Sequence, residues 1–316
     1  MPNVIKSVVL EETRLEPAES ELVLTVYPES VSLSTQIKGR LVGPHSVYST
    51  TVEVAYPMRE CNRHCSSMEV PRISVRVVIP EASFWEPDSP FLYQGPLELW
   101  EDGQCVDRLE LQHGLRIARL GPRGLRFNGK LTGLNGVART AVAREYTPQL
   151  RQWQCNTLLV PLGEQVAGMW RAADQTGFLM LGRIQSAGDL EIAAELMATG
   201  QSRHLPHAST LGWLVHQDLP SEKIGKVLGS TLFSSLSGRS GEDAIVGIEI
   251  TQPPAALVPE GVAFVACRED WASSGERFGL PLLLLSDQSL PPRPTETPSH
   301  TSRLTLGTIY EVDLQA

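Results

Sequence analysis

The chain has 316 residues, of which 41% are hydrophobic and 20% charged, and this composition is typical of a globular protein with about two domains. Its net charge of -9 argues against nucleic acid or an anionic membrane as the main partner, because both require clustered lysine and arginine. The N-terminus has no apolar signal region and no window reaches the roughly 18 apolar residues of a membrane span, so we expect a cytoplasmic protein.

The five cysteines are an odd number in a chain too long to need disulfide bridges, which predicts reduced thiols. Cys61, His64 and Cys65 lie close enough in sequence to share a metal ion. No second half of a zinc site follows at a standard spacing. We therefore interpret this segment as an ordinary surface loop, with a metal or redox site as the alternative, and expect no metal and no cofactor.

Up to about residue 120, short runs of alternating or β-branched apolar residues are separated by turn signals. The predicted strands are residues 21–27, 30–37, 51–56, 72–79 and 97–100. Asp102-Gly103 is a strong hairpin signal between Trp100 and Val106. This spacing predicts an antiparallel β-sandwich of immunoglobulin type over residues 1–122.

After about residue 128, helical patterns alternate with short apolar strands. The predicted helices are residues 148–153, 164–175 and 191–199, and the predicted strands are residues 157–160, 177–181, 211–215, 244–250, 262–267 and 280–285. Such alternation predicts parallel βα units and a TIM-type (β/α) barrel over residues 123–288. About 190 residues follow residue 128, fewer than the roughly 200 to 250 of a complete barrel, so we expect trimmed helices or a missing unit.

The remaining segment, residues 289–316, begins with a proline density that excludes regular structure. Residues 289–302 therefore form a linker or exposed loop. Residues 303–314 alternate again and predict one or two closing strands.

Several segments carry a resemblance to a known family, in order along the chain. Residues 84–93 are similar to a "Trp-Ser-Pro-Glu-x-Pro-x-Leu-Tyr" signature, residues 113–116 to "Phe-Gly-Phe-Arg", and residues 125–130 to a "Phe-x-Leu-Asn-Gly-Lys" hairpin. Residues 207–218 read His-Ala-Ser-Thr-Leu-Gly-Trp-Leu-Val-His-Gln-Asp, close to "His-Pro-Ser-x-x-x-Trp-x-x-x-Asn-Glu". The chain therefore resembles glycoside hydrolase family 2, the β-galactosidase and β-glucuronidase group, without a counterpart of its N-terminal jelly-roll domain.

The resemblance implies site residues at the ends of barrel strands. Asp218 takes the position of the catalytic acid/base and Asp287 the position of the nucleophile. Gln217 replaces an asparagine that hydrogen-bonds the sugar, and His216, Arg183 and Trp213 are further candidate ligand-binding residues.

Both aspartates are one methylene shorter than the glutamates they replace, which withdraws their oxygens by up to about 1.5 Å. A retaining glycosidase needs two carboxylates about 5 to 5.5 Å apart, and an inverting enzyme about 6.5 to 9.5 Å. A misplacement of about 1 Å can cost on the order of 10² in rate. If the pair is drawn apart, an inverting geometry is the alternative.

The resemblance also locates changes among the supporting residues. Leu159 replaces an arginine, Ala138 and Thr140 replace an asparagine and a histidine, and Arg183 stands where an acidic pair commonly ends the third strand. These positions fall at strand carboxyl ends, where barrel active sites are built. If the alignment is shifted, the carboxylates could instead be Glu164, Asp189 or Glu249, the last of which could point into the barrel or outwards.

Other candidates have simpler interpretations. Trp170 and Trp271 could stack on sugars, but both lie in helical patterns typical of packing, and Trp213 also fits a core position. We interpret Glu269 and Asp270 as surface charges, and His216 as either a ligand-binding or a structural residue.

These observations predict a family 2-like protein that has lost catalysis and binds carbohydrate or a protein partner, with no role for nucleic acid or membrane. The alternatives are an active β-glycosidase, using Asp218 and Asp287 or relocated carboxylates, and a purely structural or assembly module.

Overall fold

The structure is a computed structural model. It describes residues 3–64, 70–121, 123–138, 147–162, 166–186, 188–189, 192–193, 203–219, 245–251, 258, 261–272, 278–287 and 305–311. The chain divides into two compact units. Among the described residues, the first unit comprises 3–116 and 203–208, and the second comprises the rest.

The first unit is a β-sandwich of two four-stranded antiparallel sheets. One sheet has the order β1-β2-β6-β5, with strands β1 (Ile5–Leu15), β2 (Glu19–Pro28), β5 (Arg59–His64) and β6 (Arg72–Pro80). The other has the order β4-β3-β7-β8, with strands β3 (Gln36–His45), β4 (Val54–Pro57), β7 (Leu92–Glu101) and β8 (Gln104–His113). The sandwich prediction is confirmed.

The sandwich core follows from alternation within the strands. In β2 every second side chain is buried, from Ser20 to Pro28, because successive side chains of a strand point to opposite faces. Leu22, Leu24 and Val26 of this set join a shared apolar cluster with residues of both sheets, including Leu41 and Leu97. Leu205 also belongs to this cluster, so the segment 203–208 is part of the first unit although it lies in sequence between two strands of the second.

Two predictions in this unit need correction. Residues 30–35 are not a strand, since β3 begins at Gln36. Cys61 and His64 do not lie in a loop but in β5, an edge strand paired with β6, while Cys65 lies outside the described residues. Glu101 and Gln104 close the predicted hairpin, with positive φ at Asp102 and Gly103.

The second unit opens with a small antiparallel sheet of β9 (Ala118–Gly121), β10 (Gly124–Phe127) and β11 (Lys130–Leu131). Asn128 and Gly129 connect β10 to β11 in a two-residue turn with φ of 48° and 81°. This left-handed backbone suits the Asn-Gly pair, and the predicted hairpin is confirmed. The Asn128 side chain also accepts a hydrogen bond from the Ile117 backbone N–H at 2.8 Å.

The rest of this unit is a closed barrel of eight parallel strands. In order around the barrel these are β12 (Leu134–Ala138), β13 (Thr157–Pro161), β14 (Leu179–Ile184), β15 (Thr210–His216), β16 (Ile245–Ile250), β17 (Phe264–Arg268), β18 (Leu282–Ser286) and β19 (Thr305–Glu311). The expectation of a missing unit is therefore wrong for the strands. The eighth strand comes from beyond the predicted 123–288 range, because the chain returns after the proline-rich segment to close the barrel.

The helices with complete bounds among the described residues are α1 (Thr147–Gln152), α2 (Val166–Thr176) and a 3-10 turn (Glu269–Trp271), and residues 188–189 and 192–193 are also helical. The first two match the predicted helices closely. The predicted helix over 191–199 lies almost entirely outside the described residues, and a TIM-type arrangement of helices around the barrel stays a prediction. In the described part of the chain, no helix has the length and apolar character needed to cross a membrane.

Candidate functional site

A network of ion pairs joins three barrel strands near their carboxyl ends. Arg183 of β14 donates two hydrogen bonds to Glu249 of β16, one from Nε to Oε2 at 2.7 Å and one from Nη2 to Oε1. The same Nη2 donates to Glu311 Oε1 of β19 at 3.2 Å. Since β14, β16 and β19 are not neighbours in the closed barrel, bonds between their side chains must cross its interior.

The Arg183–Glu249 pair is largely removed from solvent, whereas Glu311 is exposed. The side chain of Glu249 is 3% exposed, that of Arg183 18% and that of Glu311 44%. Burial by itself would lower the pKa of Arg183, but the hydrogen bonds and charges of Glu249 and Glu311 outweigh it, so the pKa lies above its ordinary value. The fork geometry makes the Arg183–Glu249 pair a strong, charge-assisted contact.

Sequence reasoning identified two members of this network and missed the third. Arg183 was a candidate ligand-binding residue, and Glu249 was an alternative carboxylate whose direction was open. The structure turns Glu249 inwards, onto Arg183. Glu311 carried no signal, because only the register of the closing strand brings it level with Ala138 at the barrel's carboxyl end.

Asp218, at the acid/base position, follows β15 and is 66% exposed. Its carboxylate lies 3.5 Å from Nδ1 of His216, and its backbone N–H donates to the same nitrogen at 3.3 Å. The side-chain oxygen of Gln217 accepts a hydrogen bond from the backbone N–H of Thr251 at 3.3 Å. The backbone N–H of Gln217 donates to the backbone carbonyl of Glu249 at 3.0 Å. Gln217 thus continues the contact between β15 and β16.

Asp287, at the nucleophile position, follows β18 and is 56% exposed. Its carboxylate pairs with Nη2 of Arg268, the last residue of β17, at 2.5 Å. The Nε of Arg268 lies 3.3 Å from Asp270, so this acid is a surface charge, as predicted, in an exposed ion pair. The two aspartates therefore follow different strands, β15 and β18, and each has a basic side chain of its own nearby.

The remaining candidates from the sequence have structural roles or lie outside the described residues. Leu159 is fully buried in β13. Asp189 accepts the backbone N–H groups of Gln185 and Ser186, both at 2.8 Å, and so caps a turn. Thr140 and Glu164 lie outside the described residues.

Trp213 points away from the barrel interior. Its ring is buried and stacks on Trp170 of α2, with ring centroids 6.1 Å apart and planes 13° apart. Gly182 of β14 leaves room for it, since a Cβ there would lie 2.3 Å from the Trp213 ring. Trp213 therefore occupies the layer between strand and helix, as the core interpretation predicts, and its position does not suit a sugar platform.

The described cysteines form no disulfide: Cys61 and Cys105 are exposed, and Cys155 and Cys267 are buried. Burial raises the pKa of both buried thiols to about 11. No group of three metal-ligating side chains occurs among the described residues, and Cys65 falls outside them.

We expect iodoacetamide at pH 8 to alkylate Cys61 and Cys105 on the order of 10² faster than Cys155 and Cys267 in the native protein. The physical reason is that a raised pKa leaves few thiolates and burial excludes the reagent. Peptide mapping by mass spectrometry over time measures the four rates, which should converge in denaturant. Rapid native labelling of Cys155 would contradict its burial.

The fold has counterparts among solved structures, although no family model and no curated protein matches the sequence. A β-glucuronidase of Bifidobacterium dentium has a TM-score of 0.66 at 12% identity, covering 98% of this chain and 60% of that one. A putative β-galactosidase of Bacteroides fragilis has a TM-score of 0.67 at 12% identity, covering 98% and 56%. A glycosyl hydrolase family 2 member of Bacteroides cellulosilyticus has 0.66 at 14%, covering 98% and 46%.

The chain therefore has the fold of family 2 glycosidases, a β-sandwich followed by a barrel. At such low identity the likeness concerns the fold alone. The chain spans about 60% or less of the length of these enzymes.

Proposed function

We propose that this chain is a glycoside hydrolase family 2-like protein, with an immunoglobulin-like sandwich and a TIM-type barrel, that does not hydrolyse glycosides. Its role is to bind carbohydrate or a protein partner. The observation that carries this proposal is the Arg183–Glu249–Glu311 network, which lies inside the barrel at the end where such enzymes build their active sites.

The environments of the two aspartates support the loss of catalysis. A glycosidase general acid is kept protonated by apolar surroundings or by a neighbouring carboxylate. Asp218 is instead 66% exposed, and the ring of His216 lies beside its carboxylate. Asp287 would have to attack from a site that excludes water, but it is 56% exposed and its partner Arg268 is 48% exposed. Each side chain is also one methylene shorter than glutamate.

The groups that should position a sugar support the same proposal. The amide oxygen of Gln217 is engaged by the Thr251 backbone. Leu159 is an apolar side chain buried in β13, at a position where the family that the chain resembles has an arginine. Binding energy for the reacting sugar ring would have to come from other residues.

One observation favours an active enzyme with relocated carboxylates. Glu249 and Glu311 both accept a hydrogen bond from the same nitrogen of Arg183, so their bonded oxygens lie within roughly 6.5 Å of each other. This upper limit is compatible with the separation of about 5 to 5.5 Å between the two carboxylates of retaining glycosidases. Arg183 would have to leave this position before a sugar could reach both groups. A structural or assembly module is a further alternative.

We expect the purified chain to give no turnover of aryl β-glucosides, β-galactosides or β-glucuronides above the enzyme-free rate, together with saturable binding on a glycan panel if its partner is a carbohydrate. Turnover abolished by Asp287→Ala would overturn the proposal and assign the nucleophile. Turnover lost in Glu249→Gln but kept in Asp287→Ala would establish the relocated pair. The absence of both turnover and glycan binding would favour a protein partner or an assembly role.

A further inference from the structure

We propose that Arg183 is an internal ligand: its guanidinium occupies a carboxylate-walled cation site inside the barrel, and this autoinhibitory contact closes the barrel end. Without the Arg183 side chain, the site formed by Glu249 and Glu311 would take a free guanidinium-class cation. The inference rests on the proposed function in one respect, because it gives a physical cause for the exclusion of a sugar from the carboxyl end of the barrel.

The bonding geometry is that of a ligand complex. Nε and Nη2 of Arg183 donate in parallel to the two oxygens of Glu249, and Nη2 also reaches Glu311. A planar guanidinium matches a carboxylate in this fork arrangement, whereas an ammonium ion offers only a point charge. A free guanidinium presents the same donors, so it can repeat the same contacts.

The carboxylate depends on a cation from across the barrel. Glu249 is 3% exposed, and its ladder neighbours on the two adjacent strands are His216 and Ala266. The arginine reaches it from β14, two strands away. A buried carboxylate that loses its cation is strongly destabilised, so a vacated site would favour any cation of the right shape.

The Arg183–Glu249–Glu311 network also determines which ligands are excluded from this end of the barrel. Arg183 bridges β14, β16 and β19 through the interior, so a pyranose ring cannot occupy the same space. In the vacated site the walls would be two carboxylates, which disfavours a uronic acid because like charges repel. The matched class is a small planar cation.

The experiment compares thermal unfolding of Arg183→Ala with and without guanidinium chloride at about 50 mM, a concentration too low to denature most proteins. We expect guanidinium to raise the Tm of Arg183→Ala by about 2–5 °C relative to equimolar NaCl. The wild type should show no such rise. Arg268→Ala is the matched control, since it removes an exposed guanidinium from the same end of the barrel.

The double variant Arg183→Ala/Glu249→Gln should lose the guanidinium effect, because the charged wall is gone. An effect that persists in the double variant, or equals that in Arg268→Ala, would overturn the internal-ligand proposal. If Arg183→Ala does not fold alone, the recovery of folded protein on refolding with guanidinium chloride against equimolar NaCl keeps the test available, and no guanidinium effect in either measurement also overturns the proposal. Wild-type turnover of aryl glycosides would overturn the proposed function and the closure of the barrel end by Arg183, whereas the guanidinium shift tests the cation site independently of both.

Discussion

Arg183→Ala is expected to lower the free energy of unfolding of the barrel by about 3–5 kcal/mol, the cost typical of removing one partner of a buried ion pair. The cost arises because Glu249, 3% exposed, would be left in the interior without the guanidinium that stabilises its carboxylate. Urea unfolding followed by tryptophan fluorescence measures the change, since Trp170 and Trp213 report on the barrel.

The matched control replaces both partners by apolar side chains of similar size, as in Arg183→Met/Glu249→Leu. Because no buried charge is left behind, this variant should be near the wild type or more stable by about 1–4 kcal/mol. If the single and double variants were equally destabilised, packing volume and not the uncompensated charge would be the cause.

Trp213→Ala is expected to cost about 3–5 kcal/mol, the range for removing a large buried aromatic side chain. The ring is 1% exposed and stacks on Trp170, so its loss leaves a cavity between β15 and α2. The same urea experiment measures it.

Trp271→Ala serves as the control, because Trp271 is partly exposed in the 3-10 turn and should cost considerably less. A Trp213→Ala protein with unchanged stability but lost glycan binding would show that Trp213 is a ligand platform, contrary to its buried position. Loss of both properties would be explained by unfolding alone.

The regular strands could be predicted from the sequence because their burial follows simple alternation or a continuous apolar run. β2 alternates over its whole length, and β18 is buried throughout and apolar up to its last residue, Ser286, as strands of a parallel barrel are when both faces are covered. The family resemblance added the order of the elements, and the structure confirms that a sandwich precedes a barrel.

Several strands are missing from the sequence prediction, and β1 and β5 are missing for different reasons. In β1 a register shift between Ile5 and Ser7 disturbs the alternation. The buried position 12 of this strand is also polar, since Glu12 forms a buried hydrogen bond with Nε2 of His113 at 2.8 Å. β5 is an edge strand whose exposed polar side chains have no apolar face to reveal it. Charged edges of this kind discourage pairing with other chains.

The candidate site was predictable only one strand at a time. Each of Arg183, Asp218 and Asp287 could be assigned to a strand end from its local motif. Which side chains meet across the barrel depends on the register of strands that are far apart in sequence, such as β14 and β19. The Arg183–Glu311 contact spans 128 positions, and no local pattern encodes it.

The segment from His207 to Ser209 carries much of the likeness to glycosidases, yet its described contacts are structural. Ala208 packs in the first unit, where a Cβ on Gly114 would lie 2.8 Å from it, and the Ser209 N–H donates to Asp174 in the second unit at 2.8 Å. One peptide bond therefore carries the chain from one unit to the other. Such a signature in a protein sequence is diagnostic of shared architecture, and the reaction has to be diagnosed from different residues.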